Sequence, residues 1–108
     1  MNNNIFFNHS DLKSFGQNSI IGKTVRIRNP ELVSIGYNVI IDDFTYISGK
    51  ISIGDYVHIG AFCSLKGSNS EIVMGDFSAL ASGVRAFATS ADYINCSFNT
   101  ATVAESKQ

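Results

Sequence analysis

The chain has 108 residues, 44% of them hydrophobic, and balances 8 Lys and Arg against 9 Asp and Glu for a formal charge of −1. That is the size of one domain. No run of Lys or Arg recommends nucleic acid or an anionic membrane as a partner, and no apolar stretch approaches the ~18 residues of a membrane span.

The first four residues, Met1-Asn2-Asn3-Asn4, lack the basic start and apolar core of a signal peptide, so a soluble, cytoplasmic protein is expected. Residues 1–14 follow no simple period. Ile5, Phe6, Phe7 and Leu12 are too apolar for a free tail, and Ser10 or Asp11 is placed to cap a short helical turn. This segment is expected to act as a lid, because an open end of a stacked sheet exposes both core and strand edges.

From Phe15 the sequence acquires a fixed rhythm. Phe15-Gly16-Gln17-Asn18-Ser19-Ile20 and Ile21-Gly22-Lys23-Thr24-Val25-Arg26 are followed by a unit from Ile27 that is two residues too long, with Pro30, the only proline, inside it. Such an insertion belongs at a corner, where the ladder is interrupted. Five clean hexads then open at Ile35, Ile41, Ile47, Ile53 and Ile59, and Leu65 begins another. Four places after each opening residue stands Val39, Thr45, Ile51, Val57 or Cys63.

A helix wants a period of 3.6, and a half-buried strand wants bare alternation without a restart every six residues. The six-residue period is the mark of a parallel β-helix, each hexad being one short strand and a turn. The opening residue and the one four places on point into a narrow prism, and three hexads close one coil. Gly16, Gly22, Gly36, Gly54, Gly60 and Gly75 share one phase, where they are expected to ease the corners. Lys66–Val73 reads as a polar excursion, after which hexads from Met74, Leu80 and Ala86 complete a fourth coil. The period is lost from Asp92. The division expected is a cap over 1–14, a β-helix over 15–91 and an irregular tail over 92–108.

The residues able to carry chemistry are few. Only His9 and His58 supply imidazoles. His58 ends its hexad facing outward, where it could act as a general base or serve as a surface or interface histidine. His9 falls in the lid and is read as incidental. Asp42 and Asp43 adjoin a corner; they could hold a cation or orient a base, but such residues more often cap turns. Ser82, Thr89 and Ser90 could hydrogen-bond a ligand hydroxyl, though Ser and Thr are common in β-helix turns. Cys63 falls at an inward position as a buried thiol, far from Cys96, and no disulfide framework is indicated. No glycine-rich phosphate loop is present. A three-histidine zinc site is beyond a chain with two histidines, so no metal is expected.

These hexads resemble the hexapeptide-repeat acyltransferases. The residues that carry the likeness are Ile35-Gly36-Tyr37-Asn38-Val39, Ile41-Asp42-Asp43-Phe44, Gly54-Asp55-Tyr56-Val57-His58-Ile59, Gly75-Asp76-Phe77 and Ser90-Ala91-Asp92-Tyr93. The resemblance implies an all-β fold, a left-handed parallel β-helix of about four coils with an N-terminal cap segment and an irregular C-terminal tail. It also implies a homotrimer with its cleft between subunits. Within the family the likeness is to sugar O-acetyltransferases, which implies acetyl transfer from acetyl-CoA to a hydroxyl of a saccharide acceptor. It makes Asp92, with His58, the catalytic candidate, and Ser90 and Tyr93 substrate-binding candidates. Many relatives carry a histidine just before the Asp-Tyr pair, where this chain has Ala91, and several coils beyond the equivalent of Gln108. The chain therefore reads as a truncated member, and the alternative is a non-catalytic β-helix module acting as a trimeric structural or binding protein.

Overall fold

The computed structural model describes residues 4–88 and 94–95. It is a parallel β-helix of about four coils, built from eleven short strands. They are β1 (Ser14–Phe15), β2 (Ile20–Ile21), β3 (Arg26–Ile27), β4 (Val33–Ile35), β5 (Ile40–Ile41), β6 (Tyr46–Ile53), β7 (His58–Ile59), β8 (Ser64–Met74), β9 (Ala79–Leu80), β10 (Arg85–Ala88) and β11 (Ile94–Asn95). One wall stacks in the order β2-β5-β7-β9. A second runs β3-β6-β8-β10 and a third β1-β4-β6-β8-β11. The long strands β6 and β8 belong to both because each turns a corner without leaving the ladder. Their register shifts between Gly49 and Ile51 as they do so.

All the pairings are parallel and bring together residues one coil apart: Ile21, Ile41, Ile59 and Leu80 form one column, and Ile27, Ile47, Leu65 and Ala86 another. These columns fill the prism. Val39, Thr45, Ile51, Val57 and Cys63 are buried as the hexad phase requires. Thr45, the polar member of the set, donates its hydroxyl to the Gly60 carbonyl at 2.9 Å and accepts the Cys63 N–H at 3.3 Å. A buried hydroxyl is tolerated only when so paired. Cys63 is free, and burial pushes its thiol pKa up.

The phase glycines do their work by a different means from the one expected. The left-handed backbone at the corners falls two places later, on Asn18, Asn38, Phe44, Tyr56, Phe62 and Phe77, whose φ values lie between 58° and 64°. Asparagine tolerates this region, but bulky residues there are strained. The aromatic ones stack between coils: Phe44 on Phe62 at 5.2 Å and Tyr56 on Phe77 at 5.1 Å between centroids. Gly16, Gly22, Gly36, Gly54 and Gly60 are needed because the coils approach too closely for a side chain. A Cβ on Gly36 would stand 2.6 Å from the Gly54 carbonyl oxygen, and one on Gly60 2.7 Å from the Ser82 nitrogen.

The lid is tied down at its first described residue. Asn4 donates to the carbonyls of Val25 at 2.7 Å and Gly22 at 3.1 Å, while its own oxygen accepts the N–H of Phe6 at 2.7 Å. Phe7 and Leu12 are buried against the first coil. The helical turn is a 3₁₀ turn over His9–Asp11, and its N-cap is Asn8 rather than Ser10 or Asp11. The reason is Asp11, whose carboxylate accepts the Asn8 N–H at 3.1 Å and so fixes the start of the turn. The Pro30 insertion forms a second 3₁₀ turn, Pro30–Leu32, at a corner. The expected excursion over Lys66–Val73 instead lies within β8.

Candidate functional site

Three of the four aspartates at described corners have structural duties. Asp43 accepts the Thr24 hydroxyl at 3.0 Å, Asp55 accepts the Tyr37 N–H at 3.0 Å, and Asp76 accepts the Asp55 N–H at 2.7 Å. Each serves a neighbouring coil, so these carboxylates pin the stack rather than cap their own turn. Asp42 is different. It contacts His58, with Asp42 Oδ2 2.9 Å from His58 Nε2.

The ladder creates this meeting. Ile40 pairs with His58 and Ile41 with Ile59, so Asp42 lies diagonally below His58 on the outward face. An ionised Asp42 can only accept, so in a neutral ring this contact puts the proton on Nε2 and leaves Nδ1 its lone pair. The result is a ring oriented by Asp42, with Nδ1 as its acceptor nitrogen when the imidazole is neutral. The His58 side chain is 56% exposed and that of Asp42 44%. A pair so open to solvent adds little to stability, about 0–1 kcal/mol. Its consequence is orientation. Gly60 follows on the same strand edge, and Ser82 lies across the corner from Gly60.

The other predicted residues divide plainly. Ser90, Asp92 and Tyr93, with Thr89 and Ala91, lie outside the described residues. His9 belongs to the lid. The sequence offered Asp42 as able to orient a base, with turn capping favoured, but did not pair it with His58, although aligning the hexads of consecutive coils would place the two side by side. Among the described residues no group of three or more His, Cys, Asp or Glu is placed to hold a metal ion. No described helix is long and apolar enough to cross a membrane.

Residues 33–67 match the sequence profile of the bacterial transferase hexapeptide (six repeats) family. The chain is 33% identical over 84 residues to the dTDP-4-amino-4,6-dideoxy-D-glucose acyltransferase of Escherichia coli, covering 75% of this chain and 43% of that enzyme. It is 40% identical to a point mutant of AntD, an N-acyltransferase from Bacillus cereus, solved with dTDP and coenzyme A, with a TM-score of 0.72 over 79% of this chain and 48% of that one. AntD with dTDP and 3-hydroxybutyryl-CoA superposes equally well, at 0.72 over 82% and 48%. The chain thus spans about half the length of the relatives it matches.

Proposed function

This chain belongs to the hexapeptide-repeat acyltransferase family, and from that premise we propose that it serves acyl transfer from an acyl-CoA to a nucleotide-linked sugar. The relatives act on, or are bound to, dTDP-linked amino sugars or dTDP itself, which favours an amine over the hydroxyl expected from sequence. In the reaction the acceptor nitrogen attacks the thioester carbonyl, a C–N bond forms, the C–S bond breaks, and coenzyme A departs with the proton as a thiol.

The observation that carries the proposal is the His58–Asp42 pair. Its Nδ1 is the base that takes the proton from the attacking group, and Asp42 holds the ring while it is charged. Asp92 is proposed to assist this proton transfer, and Ser90 and Tyr93 to bind the sugar. Acetyl-CoA is the proposed donor, although 3-hydroxybutyryl-CoA bound to AntD makes the acyl length an open variable of the assay. A homotrimer in the cytoplasm completes the proposal. Exposed Phe44, Phe62 and Phe77 support self-association.

The test is release of coenzyme A from acetyl-CoA or 3-hydroxybutyryl-CoA in the presence of dTDP-4-amino-4,6-dideoxyglucose. Acceptor-dependent release is expected, falling about 10²- to 10⁴-fold in His58→Ala. No release from a folded wild-type chain would overturn the proposal in favour of a non-catalytic module. Undiminished release in His58→Ala would remove the histidine from it.

A further inference from the structure

A second constellation lies on a different wall. Outward positions of β3, β6 and β8 alternate with the buried column Ile27-Ile47-Leu65 and carry two rows of side chains. One row holds Arg26, Tyr46 and Ser64. Continuing the register past Ile27 gives the other: Arg28, Ser48 and Lys66, on three successive coils. The continuation is secured by the Arg28 N–H, which donates to the Ile47 carbonyl at 2.8 Å.

Arg28, Ser48 and Lys66 line one open groove of about 460 Å³, together with Asn29 and Tyr46, and no carboxylate lines it. Among the described residues, neither Arg28 nor Lys66 has an ion-pair partner, and the half-buried Ser48 hydroxyl makes no hydrogen bond. The Lys66 ammonium lies 5.9 Å from the centroid of the Tyr46 ring, which holds the cation at the groove. This concentration is notable in a chain whose formal charge is −1. The corner aspartates 42, 43, 55 and 76 all stand off this groove.

We propose that the Arg28–Ser48–Lys66 groove binds the diphosphate group of a nucleotide-type ligand. Two cations two coils apart are separated along the wall by roughly 9.6 Å of backbone spacing, which suits a diphosphate gripped at both ends better than a single phosphate. The Ser48 hydroxyl between them donates to the bridging region. Arginine supplies a forked donor and lysine a point charge, the two usual partners of phosphate oxygens. The Tyr46 ring at the margin offers a face to an attached planar group. Both dTDP and coenzyme A contain a diphosphate, so either substrate of the proposed reaction could supply it. That last step rests on the acyl-transfer reading; the anion site does not.

The experiment is calorimetric titration of the 108-residue chain at low ionic strength with inorganic pyrophosphate, inorganic phosphate, dTDP and coenzyme A. Pyrophosphate is expected to bind saturably and at least about tenfold more tightly than phosphate, with affinity falling as salt rises. Arg28→Ala and Lys66→Ala should each weaken it about tenfold or more, and Ser48→Asp should abolish it, while Lys23→Ala leaves it unchanged. Tighter binding of dTDP than of coenzyme A would assign the groove to the acceptor, and the reverse order to the donor. Absence of saturable pyrophosphate binding, or equal losses in Lys66→Ala and Lys23→Ala, would overturn the site. The readout is binding, so it holds whether or not acyl transfer is observed.

Discussion

His9 lies between Phe7 and Phe15, with ring centroids 6.1 and 4.6 Å away, and its buried Nε2 has no hydrogen-bond partner among the described residues. Burial lowers its pKa below the ordinary 6.5, because a charged ring there would lose its hydration. The sign of the linkage follows. Above the unfolded pKa the ring is neutral in both states and the contribution is fully present. As pH falls through the window between the unfolded and the lower folded value, the unfolded chain binds the proton first and the fold loses stability. The melting temperature of the wild type should therefore drop more steeply between pH ~7 and ~5 than that of His9→Phe. Parallel curves would show that the ring stays hydrated. In sequence this residue was unremarkable, since its setting is made by Phe15 of the first coil as much as by its own segment.

At the scale of the coil, the spacing between turns of the chain is set by backbone contact. Gly36 shows this best: its missing side chain leaves room for the Gly54 carbonyl of the next coil. Gly36→Ala should cost about 1–3 kcal/mol, because backbone cannot yield as a flexible side chain would. The check is a lower denaturant midpoint with an unchanged slope. Gly83→Ala is the contrast, since nothing stands within 4 Å of its added Cβ and only its φ of 82° opposes the change. Equal stability of Gly36→Ala and wild type would mean that the coils can separate. The hexad phase located these glycines correctly but assigned them the wrong work. A one-dimensional pattern says which residues recur, and not which neighbouring coil they touch.

For the molecule as a whole, the outer surface is unequal. Phe44, Phe62 and Phe77 are 58%, 65% and 68% exposed, and all lie at corners where the left-handed backbone turns them outward. Tyr46, on a wall rather than a corner, is half-buried beside Lys66. A surface so apolar is expected to meet another copy of the chain. Static light scattering at tens of micromolar should return about three times the monomer mass, and Phe62→Ser with Phe77→Ser should lower it. A monomeric mass for the wild type would refute the trimer.

The six-residue restart by itself determined the parallel β-helix, the coil count, and which residues face inward, from Val39 to Cys63. It could do so because those features depend only on local geometry repeated along the chain. The pairing of His58 with Asp42 and the groove of Arg28, Ser48 and Lys66 were decided by the tertiary structure. Successive members are 16 to 20 residues apart; Asp42 and His58, like Ser48 and Lys66, are separated by one uninterrupted coil, whereas the corner at Pro30 lies between Arg28 and Ser48. The hexad phase says which residues face outward, but which outward side chains turn toward one another across coils, as Asp42 does diagonally toward His58, is settled by packing, and at Arg28 the insertion at Pro30 also changes the sequence distance.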